Sequence, residues 1–193
     1  MEEPILKERS NNHFTILCQQ NGGCMGCCGH DFPEKEKIND AIHQNTLEFQ
    51  QSNPKTTQEY IQFRDRANVF DLRFGVCRNL IKLDNTPNSD STSNSTSNPT
   101  SSLTPNPQLG CPLHPARHNN TDLREGHCDI HYLCDTAKSF ATWNREKQEK
   151  FLTFIHSKKL DNITYSIEMD NGKLLTEFKT EKRVEPNTIS DQK

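Results

Sequence analysis

Apolar side chains are scarce in this chain. Leu, Ile, Val and Phe together number 39 of 193 residues, about 20%, close to the level at which a polypeptide can no longer bury enough surface to offset its conformational entropy. Tryptophan occurs once and tyrosine three times. No apolar run approaches the length that crosses a bilayer, so no membrane-spanning helix is expected. The opening MEEPILKERSNNHF carries acidic residues and no continuous apolar stretch, and does not read as a secretory signal. Net charge is only −3, which gives no electrostatic footprint for nucleic acid or an anionic membrane and too little self-repulsion to explain the thin core. Phosphate-cradling loops are lacking too. GGCMGCCG is rich in glycine but has neither the lysine nor the helix start of a P-loop.

Cysteine, by contrast, is plentiful: eight residues, four of them within CQQNGGCMGCC. Without an export signal the expected compartment is the reducing cytoplasm, where clustered thiols serve as metal ligands or redox groups more often than as structural disulfides. A sparse core also calls for some additional staple, and a shared metal ion can supply one.

Between GVCRNLIKLD and LGCPLHP lies NTPNSDSTSNSTSNPTSSLTPNPQ, residues 85–108, in which 21 of 24 residues are Asn, Ser, Thr or Pro. Such a composition has nothing to bury and reads as a disordered internal loop. Loop closure cost grows only logarithmically with length, so one domain can carry it. The chain therefore divides into an N-terminal tail (1–13), one cysteine-rich domain (14–180) interrupted by that loop, and a C-terminal tail (181–193).

The remaining periodicity is mainly helical, giving a mainly α (α+β) domain. DFPEKEKINDAIHQNTLEFQ offers Asp31 as a cap and Ile38, Ile42 and Phe49 on one stripe. TTQEYIQFRDRANVFDLRFG opens with a capping box, Thr56 to Glu59, and predicts a helix stopping near Gly75. DIHYLCDTAKSFATW predicts a helix with Cys134 on its apolar face, and NREKQEKFLTFIHSKK one capped by Asn144. Trp143 is expected to anchor their junction. The basic residues around Lys147 and Lys150 are interrupted by Glu146 and Glu149 and read as a solvated face. After Asp161, Ile163, Tyr165, Ile167 and Met169 alternate and DNG follows, which predicts a short C-terminal β-hairpin.

Thiolates suit zinc and iron–sulfur clusters. Cys24-Met-Gly-Cys27 has knuckle spacing, and glycines surround it. Cys27 and Cys28 are adjacent, and side chains of neighbouring residues usually diverge. They serve two metals, or one ligates while the other packs. The expected metal ligands are Cys18, Cys24, Cys27, Cys28, Cys77, Cys111 and Cys128, holding zinc or an iron–sulfur cluster. For Cys134, on the apolar face of a predicted helix, core packing is at least as good a reading as ligation. His30, His114, His118, His127 and His131 all lie near cysteines, and His131 has the best spacing, Cys128-x2-His131. A redox or electron-transfer role follows from the same thiols. A thiol enzyme using Cys27 or Cys28 with His30 as base is a third, weaker possibility.

These segments together resemble the YkgJ-like cysteine-cluster family, described as zinc- or iron-chelating domains. CQQNGGCMGCC is similar to its C-x2-C run with a double cysteine, GVCRNLIKLD to its cysteine before an apolar pair, GCPLHPAR to a later cysteine, and LREGHC to its final arginine and cysteine. The resemblance spans roughly residues 14 to 135. It implies a metal site built on those cysteines, and it supplies no reaction.

Overall fold

The computed structural model describes residues 12–69, 71–83 and 108–181. It is mainly helical with two short antiparallel strand pairs. Helix α1 (Asn12–Gln19) runs into a one-turn 3-10 segment, Gln20–Gly22. Helix α2 (Lys35–Ser52) follows, then α3 (Thr57–Arg64). Strands β1 (Leu72–Arg73) and β2 (Val76–Cys77) form one hairpin, and β3 (Ile81–Leu83) pairs with β4 (Gln108–Gly110). Helices α4 (Asp135–Ala141), α5 (Arg145–Lys158), α6 (Asn162–Asp170) and α7 (Lys173–Glu181) complete the described chain.

Helix α2 buries Ile38, Ala41, Ile42, Asn45 and Thr46, the stripe its periodicity dictates. It starts later than its sequence suggests. Glu34 is the N-cap residue, while Asp31 lies outside the helix with a positive φ of 51°. At the other end Asn53 takes the left-handed conformation and its N–H donates to the Phe49 carbonyl at 2.9 Å. Helix α3 begins with the expected capping box, the Glu59 N–H donating to Thr56 Oγ1 and the Thr56 N–H to Glu59 Oε2.

The expected continuation of α3 to Gly75 is not observed. Arg66 turns back instead, donating to the Phe63 and Arg78 carbonyls, to Asn79 Oδ1 and to Glu48. Glu48 on α2 also receives Arg73 and Arg78. A carboxylate meeting three guanidiniums outweighs the helical propensity of the segment between them. Phe74 and Gly75, at φ 49° and 74°, then turn the chain between β1 and β2.

The C-terminal β-hairpin is likewise corrected: residues 162–181 form two helices. Asp161 caps α6 by accepting from the Ile163 and Thr164 N–H groups, and it also binds Lys35 Nζ at 2.7 Å. Helix α6 lies between two apolar clusters. Tyr165 and Met169 face one, with Leu17, Phe140, Phe151, Leu174 and Phe178. Ile163 and Ile167 face the other, with Met25, Ile38, Ile42, Val76, Leu80 and Leu109. A helix apolar on opposite sides has apolar residues at every second position here, which is why its sequence imitates a strand.

Asn144 caps α5 as expected, its Oδ1 accepting from the Lys147 N–H at 3.0 Å. Trp143 packs edge-on to Phe151 at the α4–α5 junction. Of the low-complexity stretch 85–108 only Gln108 is described, in β4; the rest and the tail from 182 onward lie outside the described residues. No helix among the described residues is long and apolar enough to cross a membrane.

Candidate metal centre

The double cysteine is locked to β2 by backbone pairing. The Cys77 N–H donates to the Cys28 carbonyl at 2.7 Å, and the His30 N–H to the Gly75 carbonyl at 3.0 Å. Gly29 makes this possible, because a Cβ there would overlap the Gly75 carbonyl. The turn after Cys77 is fixed from α2: buried Asn45 donates to the Cys77 and Leu80 carbonyls at 2.9 and 3.1 Å.

Cys111 follows directly on β4, whose Gly110 pairs with Ile81. Its carbonyl accepts from the His114 N–H, and Leu113 and Leu123 are joined through the Leu123 N–H, so the chain returns toward Cys128. Arg64 of α3 holds that return segment, donating to the Leu123 and Glu125 carbonyls.

Cys27, Cys28, Cys77, Cys111 and Cys128 thus line one cavity of about 40 Å³, together with Asn79, Leu80, Leu113, Arg124, His127 and Asp129. A space of this size takes an ion or a water molecule. All eight cysteines are free thiols. As the side chains stand, no group of three or more His, Cys, Asp or Glu among the described residues is drawn close enough to hold a metal ion. The Cys27 and Cys28 sulfurs are 3.9 Å apart.

Burial pushes the Cys111 thiol up to about 12 and raises Cys77, while nearby thiols add to both shifts. Cys128 is raised by burial against the pull of Arg124. The hydrogen bond between Cys27 and Cys28 splits that pair: Cys28 is raised, further so by burial, and Cys27 is drawn below the ordinary thiol range, aided by Arg124. Arg124 is itself held by Asp122 through contacts of 2.8 and 2.7 Å. Crowded, desolvated thiols resist carrying negative charge side by side, and a bound cation relieves that penalty. The donor set is soft sulfur, which fits zinc or iron and does not fit magnesium or calcium.

The other cysteines, Cys18, Cys24 and Cys134, do not line this cavity. Cys18 has Cys27 and Cys134 as electrostatic neighbours, Cys24 has Cys18 and Cys27, and Cys134 has Asp170 and Cys27. Cys134 is the N-cap residue of α4 and does not stand on an internal helical face.

Among the histidines, His127 is the one that lines the cavity. It is buried and shares a 3.0 Å hydrogen bond with Asn79. His131, favoured by its spacing, is exposed. His114 caps a 3-10 turn and His118 bonds the Pro112 carbonyl. His30 is exposed and pairs with Asp31 at 2.8 Å, outside the cavity lining. Asn79 carries no spacing signal and His127 only its place beside Cys128; Arg66 and the Arg64 carbonyl hold Asn79 at the site, and Asn79 in turn bonds His127.

Compared with protein-family models, with curated proteins and with solved structures, the chain matches none.

Proposed function

We propose that this chain is a metal-binding protein that holds zinc through Cys28, Cys77, Cys111 and Cys128, with Cys27 alongside. The observation carrying this reading is that cysteines from residues 27–28, 77, 111 and 128 line one ion-sized cavity. Thiolate ligation neutralises what burial otherwise penalises, and binding energy at such a site is folding energy. Free thiols in this number also suit a reducing compartment such as the cytoplasm, which belongs to the same reading. The likeness to zinc- or iron-chelating cysteine-cluster domains points the same way.

The test is elemental analysis and visible spectroscopy of the full chain purified without oxygen. A colourless protein with zinc in whole-number ratio to the chain, losing helical circular dichroism on chelation, is the expected result. A brown protein carrying iron and acid-labile sulfide would replace zinc by an iron–sulfur cluster on the same thiols, with an electron-transfer role. A protein free of metal, helical before and after chelation, would overturn the reading.

A further inference from the structure

Cys27 and Cys28 are consecutive, yet their surroundings differ. Cys28 packs against the apolar cluster of Met25, Ile38, Val76 and Leu80. Cys24 and Cys134 pack against the opposite cluster, that of Leu17, Phe140, Tyr165 and Met169. Helix α6 separates the two clusters and contributes residues to both.

The segments bearing Cys18, Cys24, Cys27 and Cys134 are each pinned to α6 by a hydrogen bond next to the cysteine. Tyr165 Oη donates to the Leu17 carbonyl at 2.8 Å, one residue from Cys18. The Met25 N–H donates to Ser166 Oγ at 2.8 Å, one residue from Cys24 and two from Cys27. Thr136 Oγ1 donates to the Met169 carbonyl at 2.7 Å, two residues from Cys134. On the other side of Cys134, Tyr132 Oη donates to Asp170 Oδ1 at 2.8 Å. Positions 165, 166, 169 and 170 form one stripe of a helix, so all three segments are gathered on the same side of α6.

Within that gathering two contacts organise the segment from Cys18 to Gly26. The Cys24 N–H donates to the Cys18 carbonyl at 2.8 Å, closing the loop between those cysteines. The Gly26 N–H points at Cys24 Sγ at 3.5 Å. Gly26 itself lies flat on α6: a Cβ there would come within 3.1 Å of Asp170 Cβ. Packing alone accounts for half-buried Cys24 and Cys134. It does not account for Cys18 and Cys27, which are exposed.

We infer that the chain carries a second metal centre, formed by Cys18, Cys24, Cys27 and Cys134 on α6, and that the Cys27–Cys28 peptide divides it from the first. The inference rests on the reading of Cys28, Cys77, Cys111 and Cys128 as the first centre. Both take the same class of ion, a thiophilic divalent metal, since cysteine sulfur predominates in both.

Native mass spectrometry of the full chain, expressed with zinc and purified without oxygen, counts the ions. The intact chain is expected to hold two, Cys134→Ser one, and Cys128→Ser one. Serine is a favoured N-cap, so Cys134→Ser preserves the start of α4. Exposed Cys18→Ser serves as a second variant and should also hold one ion. Cobalt substitution supplies a second readout: the sulfur-to-cobalt charge-transfer absorption of Cys134→Ser and of Cys128→Ser should each fall to about half that of the intact chain. An intact chain with one ion, retained in both Cys134→Ser and Cys18→Ser and lost in Cys128→Ser, would overturn the second centre and leave the first standing. An intact chain with no ion would overturn the first reading, and this one with it.

Discussion

The hydroxyl of Tyr165 reaches the backbone carbonyl of Leu17 at 2.8 Å, and both residues are buried. Chain positions 148 apart meet there, and the bond is shielded from water. Tyr165→Phe keeps the ring and removes the donor, leaving the carbonyl without it. The expected cost is about 1–2 kcal/mol, read as a lower denaturant midpoint at unchanged slope. Faster alkylation of Cys18 should accompany it, since α1 loses a tether to α6. An unchanged midpoint would mean that water replaces the hydroxyl freely.

Glu48 ties α2 to the β1–β2 hairpin through Arg66, Arg73 and Arg78. Burial alone would raise its carboxyl, but the three guanidiniums outweigh it and hold it down to about 2. A depressed carboxyl stabilises the fold above the ordinary value near 4.5 and loses that contribution as pH falls from there toward about 2. Glu48→Gln is expected to cost about 2 kcal/mol at neutral pH, between the values for exposed and buried ion pairs. The gap between the two proteins should narrow in acid. Urea unfolding at about pH 7 and about pH 3.5 checks both statements, and a gap that widens in acid would reverse the argument.

Phe74 sits in the two-residue turn between β1 and β2 at φ 49° and is exposed. Aromatic residues are strained in that region, whereas asparagine followed by glycine is a favoured hairpin turn. Phe74→Asn should therefore stabilise the chain by about 0.5–1 kcal/mol. Thermal unfolding measures it; a loss of stability would show that the Phe74 ring makes contacts worth more than the strain.

Strands β3 and β4 pair from Ile81↔Gly110 to Leu83↔Gln108, so the ends of the stretch between them are already together. Replacing residues 84–107 by Asn-Gly shortens the closure without touching that register. Stability should hold or rise, by about 1–2 kcal/mol at most from the logarithmic dependence on length. Metal content per chain should not change. Loss of metal on this deletion would place a function within the replaced stretch.

Some signals in the sequence are legible because their chemistry is local, although Asp31 shows that a cap residue type alone does not fix a helix start. The Thr56–Glu59 box and the Asn144 cap each satisfy backbone donors within three residues, so spacing alone identifies them. Thiol crowding was equally legible in CMGCC, though not which thiols share a neighbourhood. That sorting depends on α6, whose two apolar faces imitate a strand. The early end of α3 was hidden because its cause, Glu48, lies 18 positions before Arg66. Spacing favours His131 over His127 because burial beside Asn79 is a tertiary fact with no counterpart in spacing.

Helix α6 leaves this small interior without a natural seam. Side chains on its opposite sides complete both apolar clusters, so neither half keeps a finished core once the helix departs. Melting should accordingly be a single cooperative event, with the amides of α6 among the slowest to exchange with deuterium.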